Sequence, residues 1–240
     1  MNTQRCDTIE GALPTGGRLL PVETATGAVN MARDEQLLAE CAAGAPGFPV
    51  LRFYHWAPPC ISLGRSQDLA NPRHGRVDEE AAAAAGIDIV RRPSGGRAIL
   101  HFNDLTYALI MRAPSEDISS SHKLIARGLA NGLNLLGLRV DEDLTAMPSG
   151  RNPADCFAAV AGADLQTAGR KVMGSAQRRS GGCLLEHGTL YLTSPEPLYS
   201  AVFGQPFGGS VAALDELLGR PVMFEEAADA LTRGLSALLG

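Results

Sequence analysis

Residues 91–97 read Arg91-Arg92-Pro93-Ser94-Gly95-Gly96-Arg97 and separate two short β-like runs, residues 87–92 and 97–101. Proline fixes one backbone angle. The paired glycines allow a tight turn in which backbone can come close to a ligand. A third run, residues 106–112, follows a second turn at Asn103 and Asp104. The sequence therefore predicts a β-meander built around the Gly-rich turn, and the remaining elements must be arranged about it.

Helical patterns bracket this region. Residues 28–43 place Met31, Glu35, Leu38 and Ala42 at helical spacing and stop at Gly44 and Pro46. Residues 77–85 are Ala-rich and close on Gly86, and residues 119–136 read as a helix with Ile118, His122, Ile125, Leu129, Leu133 and Leu136 lining one face before Gly137. Further β-like runs fall at 50–56 and 60–63, then at 156–160, 165–168, 171–177 and 183–192, with a helical tail over 195–202, 210–218 and 224–239. Helices and strands come in blocks, without the regular alternation of a doubly wound sheet. The expected fold class is α+β, a mixed and largely antiparallel sheet flanked by helices. Residues 1–17 read as a polar, flexible leader and residues 18–240 as a single domain.

At 240 residues and 45% hydrophobic, the chain can bury a sizeable core. No apolar run reaches the roughly 18–20 residues of a membrane span, and the start lacks the apolar region of a secretory signal. A cytoplasmic protein without membrane association is expected. A net charge of −5 gives no nucleic-acid signal, yet the arginines cluster around 91–97 and 170–179, which suits an anionic ligand or an acidic partner. Solvated surface charge is the plainer alternative. Five cysteines without a CxxC pair argue against a disulfide framework or a zinc site, so no metal is expected.

Four stretches carry candidate chemistry. In the first, Arg91, Arg92 and Arg97 flank the turn with planar, always-charged donors, and His101 closes the following run. It is not a phosphate-binding P-loop, because GxxxxGK[ST] occurs nowhere. A hairpin with solvated arginines remains open. In the second, Gly169-Arg170-Lys171, Lys171 precedes the small residues Gly174, Ser175 and Ala176, which leave room beside it; an exposed strand-end lysine is the ordinary reading. In the third, His187 and Gly188 lie in a β-like run, where a satisfied core histidine is commoner. In the fourth, Cys156 follows a polar, turn-rich approach (Arg151-Asn152-Pro153-Ala154-Asp155), whereas Cys41, Cys60 and Cys183 sit in apolar elements and Cys6 in the leader. A thiolate is the reactive form, and a nearby cation favours it.

Together with Asn30-Met31-Ala32-Arg33-Asp34-Glu35, Leu51-Arg52-Phe53-Tyr54 and Ser62-Leu63-Gly64-Arg65-Ser66-Gln67, these stretches in this order resemble the catalytic family of lipoate–protein ligases, biotin ligases and octanoyltransferases. The resemblance covers about two thirds of the chain and implies an acyl tunnel beside the Arg-Arg-Pro-Ser-Gly-Gly turn. Within the family the pattern is nearest the cysteine octanoyltransferases of the LipM type, which carry a lysine fifteen residues after the cysteine, as Lys171 follows Cys156 here. ATP-dependent ligases usually have a third glycine where this chain has Arg97, and often a C-terminal accessory domain beyond the point at which this chain stops. Departures from the family pattern include Phe102-Asn103-Asp104, Glu186 and Gly17.

The resemblance implies Cys156 and Lys171 as catalytic residues. It implies Arg91, Arg92, Ser94, Gly95, Gly96, Arg97, His101, Gly174, Ser175, Ala176, His187 and Gly188 as substrate-binding ones. The donor would be octanoyl-acyl carrier protein, the acceptor a lysine of a lipoyl domain or a glycine-cleavage H-type protein, and no cofactor or metal would be needed. Alternatives are an ATP-dependent lipoate–protein ligase and an amidotransferase between lipoyl proteins. Burying an eight-carbon tail at about 0.8 kcal/mol per CH₂ would contribute roughly 4–5 kcal/mol.

Overall fold

A computed structural model describes residues 11–13, 16–71, 76–141 and 164–239. The chain begins with three short strands, β1 (Gly11–Ala12), β2 (Arg18–Leu19) and β3 (Glu23–Ala25). Helix α1 (Gly27–Ala42) starts at Thr26, whose hydroxyl accepts the Val29 N–H. Strands β4 (Val50–Trp56) and β5 (Cys60–Leu63) follow, then α2 (Glu79–Ala84), β6 (Asp88–Arg91), β7 (Ile99–His101) and β8 (Asp104–Arg112). Helix α3 (Ile118–Leu135) leads to β9 (Leu165–Thr167), β10 (Arg170–Ser180) and β11 (Cys183–Tyr191), and the chain closes with α4 (Leu198–Phe203), α5 (Leu214–Leu218) and α6 (Phe224–Leu239).

The larger sheet has eight strands in the order β1-β2-β4-β8-β11-β10-β9, with β3 also paired to β4. Its centre, β4-β8-β11-β10, is antiparallel, while β2 and β3 run parallel to β4. The mixed, largely antiparallel sheet expected from the sequence is therefore present. Alternation along β8 sorts its two faces: Leu105, Tyr107 and Leu109 pack with Ile125, Leu129 and Leu231, and Ala108 and Ile110 pack with Leu37 and Leu38 of α1. Helices α3 and α6 thus cover one face and α1 the other. The first pair packs backbone to backbone. A Cβ on Gly234 would lie 2.3 Å from both Gly128 O and Gly132 N.

The meander is not found. Strands β6 and β7 do not pair with each other. Both flank β5, β6 parallel to it and β7 antiparallel, in a three-stranded sheet, and β8 departs into the larger sheet. The Gly-rich turn crosses the end of β5, so close that a Cβ on Gly64 would sit 1.9 Å from Gly96 O. Pairing here is set by this non-local packing and not by the shortness of the turn.

Other boundaries shift for local reasons. Residue 77 is not helical; Asp78 caps α2 by accepting the Ala81 N–H. Residues 210–213 are not helical either, because Val211 forms a parallel bridge with Lys171. Within the segment read as a leader, Gly11 and Ala12 pair with β2, and Leu13 is buried in the core. The run expected at 156–160 lies outside the described residues. Among the described residues, no helix is long and apolar enough to cross a membrane.

Candidate active site

Between the two sheets lies a cavity of about 260 Å³. Strand β10 presents Lys171, Gly174, Ser175 and Ala176 to it, and β11 presents His187, Gly188 and Thr189. Arg92, Gly96 and Arg97 of the Gly-rich turn, and Ile99 and His101 of β7, close it opposite. Ten residues singled out from the sequence are therefore brought together. Arg91, Ser94 and Gly95 do not line the cavity, and Cys156 lies outside the described residues.

Lys171 is held by main chain and side chain together. Its N–H donates to Ser210 O at 2.7 Å and its carbonyl accepts from Ala212 N–H at 2.9 Å. Its ammonium lies 2.7 Å from the Asp164 carboxylate, with both side chains buried. The other Asp164 oxygen accepts the Ser175 N–H at 3.3 Å.

A second buried network joins four separate stretches of the sequence. The Asp34 carboxylate accepts from Arg52 at 2.8 Å, from the Tyr54 hydroxyl at 3.1 Å and from His187 Nδ1 at 2.9 Å. His187 Nε2 lies 2.5 Å from Ser94 Oγ. Because the carboxylate only accepts, Nδ1 donates to it, and Nε2 is left facing the serine hydroxyl. This acid–histidine–serine order resembles a nucleophilic relay, but Ser94 is 1% exposed and stands off the cavity. It fixes the turn to α1, β4 and β11.

His101 anchors the opposite wall. Its Nε2 meets Ser62 Oγ and its Nδ1 meets Asp104, each at 2.8 Å, and the Trp56 ring stacks on it at 3.9 Å. Burial pulls its pKa below the usual histidine value, against the opposing pull of Asp104, and keeps the ring neutral at pH 7. Trp56 Nε1 in turn donates to Thr106 Oγ1 at 2.9 Å.

Two of the turn arginines are engaged by main-chain carbonyls. Arg92 donates to the carbonyls of Ser62 at 2.7 Å, Gly95 at 2.8 Å and Arg97 at 2.7 Å. Burial lowers its pKa to about 10. Arg91 donates to the carbonyls of Gly64 at 2.7 Å and Gln67 at 2.8 Å. A chain crossing a strand end leaves carbonyls without ladder partners, and these guanidinium groups satisfy them. The Cys41 and Cys60 thiols are pushed to about 12, in both cases chiefly by burial, and Cys183 is also buried.

Asp34, Asp164, Ser62, Tyr54, Trp56 and Thr106 were not singled out as site residues from the sequence. Asp34 had a signal, since an acid on the Met31–Leu38 face of a helix needs a buried partner.

The family described as “Lipoyl protein ligase A/B catalytic domain” matches residues 26–236. An octanoyltransferase LipM from Symbiobacterium thermophilum is 36% identical, with 95% of this chain and 88% of the relative aligned. One from Moorella thermoacetica is 37% identical, with 85% and 80% aligned. Among solved structures, a lipoate-protein ligase A bound with ATP superposes with a TM-score of 0.75 at 26% identity, covering 93% of this chain and 85% of that one.

Proposed function

This chain belongs to the lipoyl protein ligase A/B catalytic-domain family, and on that premise we propose that it transfers octanoyl groups in lipoate biosynthesis through a thioester on Cys156, with Lys171 as its partner. The observation that carries this reading is the buried Lys171 ammonium in a cavity walled by Gly174, Ser175, Ala176 and the Gly96 turn. Cys41 and Cys60 are held as thiols by burial, which supports a nucleophile elsewhere in the chain. Cys156 precedes the cavity residue Asp164 by eight positions in the sequence.

In the first half-reaction the Cys156 thiolate attacks the carbonyl carbon of octanoyl-acyl carrier protein. A new C–S bond forms, the carrier C–S bond breaks, and the departing thiolate takes a proton from Lys171. In the second, an ε-amine of a lipoyl domain or glycine-cleavage H-type protein attacks the acyl-enzyme. The amide forms, Lys171 accepts the amine proton, and the Cys156 thiolate is regenerated. The Ser175 N–H is engaged by Asp164, which favours the Gly96 end of the Gly-rich turn as the source of an oxyanion donor.

The likeness to an ATP-bound ligase keeps a second reading in play, activation of a free acid by ATP. Incubation with a lipoyl domain separates the two. Octanoyl-acyl carrier protein alone should yield the octanoyl-lysine product. Efficient product formation from free octanoate and ATP-Mg, with none from the carrier thioester, would establish the ligase.

A further inference from the structure

Of the 21 basic residues in the chain, only Lys123 and Lys171 are lysines. A chain that uses arginine almost everywhere thus keeps an ammonium inside its cavity. Lysine gives up its proton far more readily than arginine, whose guanidinium does not deprotonate in proteins. Around this group the described lining holds Arg92 and Arg97 from the turn, His101 of β7, His187 of β11 and Tyr54 of β4, and Asp164 is the one carboxylate among them. Asp164 precedes β9, and Lys171 stands just before the register shift between Lys171 and Met173 that lets β10 pair with that short strand. The carboxylate reaches back across this irregularity to the ammonium and grips the Ser175 N–H with its other oxygen. One side chain therefore ties Lys171 to the small-residue wall of the cavity.

We propose that Asp164 is a positioning residue for the reaction: it aims the Lys171 ammonium into the cavity and holds it there as one half of a buried ion pair tied to the Ser175 main chain. The inference rests on the reading of Lys171 as the proton-exchanging partner. A buried ammonium without its carboxylate loses a favourable Coulomb interaction and gives up its proton more easily. Removing Asp164 should therefore move both half-reactions toward acid. Acyl-enzyme formation, which needs the ammonium, fails at lower pH, and transfer, which needs the neutral amine, begins at lower pH.

The test labels the full-length protein with ε-¹³C lysine and follows its two signals through a pH titration, with Lys123 as internal reference. In Asp164→Asn the Lys171 midpoint should fall by at least about one pH unit while Lys123 stays in place. The pH limbs of single-turnover acylation and transfer should move by the same amount, and Asp164→Glu should restore both. An unmoved Lys171 midpoint in a folded variant, or equal loss of rate at every pH, would overturn the proposal. Should Asp164→Asn not fold, Asp164→Ser and Asp164→Glu give the same comparison. A shifted Lys171 midpoint with no octanoyl adduct on Cys156 in the unmodified enzyme would sustain the Asp164–Lys171 linkage and dismiss the thioester. An adduct on Cys156 with an unmoved midpoint would do the reverse.

Discussion

Replacing Lys171 by arginine keeps a positive charge in the cavity but removes a group that releases its proton. Lys171→Arg is expected to retain more acyl-enzyme formation than transfer, and Lys171→Met to lose both; rapid-quench rates for each half-reaction check the split. Asp34 offers a test of scaffold against chemistry. Asp34→Ala leaves buried Arg52 with only the half-exposed Glu23 carboxylate, and urea unfolding should register a loss of about 3 kcal/mol, the low end for a broken buried pair. The family resemblance reached Lys171, His187 and the Gly-rich turn, whereas the residues alone favoured a strand-end lysine and a core histidine. Asp164 left no trace in the sequence. An acid ahead of a short strand looks like any surface residue, and its partnership with Lys171 depends on a strand irregularity that no local pattern announces. Arg91 and Arg92 were legible as positions but not as roles, since the carbonyls they satisfy belong to β5 and the turn it supports.

Most of the helices followed from periodicity; α3 buries Ile125, Leu129 and Leu133 of the face its apolar spacing specified, while Ile118 at its first position is exposed because it lies beyond the reach of the core. Strand partners did not follow, because β6 and β7 are joined by a turn yet each pairs with β5. That arrangement depends on the close approach of Gly64 to Gly96, thirty-two residues apart. A comparable approach locks α3 to α6. Alanine is the better helix former by about 1 kcal/mol, yet a Cβ at Gly234 would meet backbone atoms that no rotamer change can move. Gly234→Ala should lower the urea midpoint, by a net loss of about 1–3 kcal/mol, while activity per folded molecule is unchanged.

Buried histidine shapes the acid response of the whole molecule. The folded-state pKa of His101 is depressed by burial, so between the ordinary value of about 6.5 and that lower value the unfolded chain binds a proton that the folded protein does not. Stability from this group is therefore full above about 6.5 and falls with pH below it, by at most about 1.4 kcal/mol per pH unit. His55, also depressed chiefly by burial, acts in the same direction. Urea midpoints at pH 7.5 and 5.5 should show the drop. Since His101 stacks on Trp56 in the cavity wall, the indole fluorescence of this single tryptophan should hold through that window and change only at lower pH, where the folded protein itself takes up the proton.

The central claim, a thioester on Cys156, is tested most directly by intact-mass analysis after mixing the enzyme with octanoyl-acyl carrier protein in the absence of ATP. The expected result is one added octanoyl group, labile to hydroxylamine, mapped to Cys156 and discharged when a lipoyl domain is added. A hydroxylamine-labile adduct on any other cysteine, or a Cys156→Ser enzyme that still octanoylates the lipoyl domain at full rate, would contradict it.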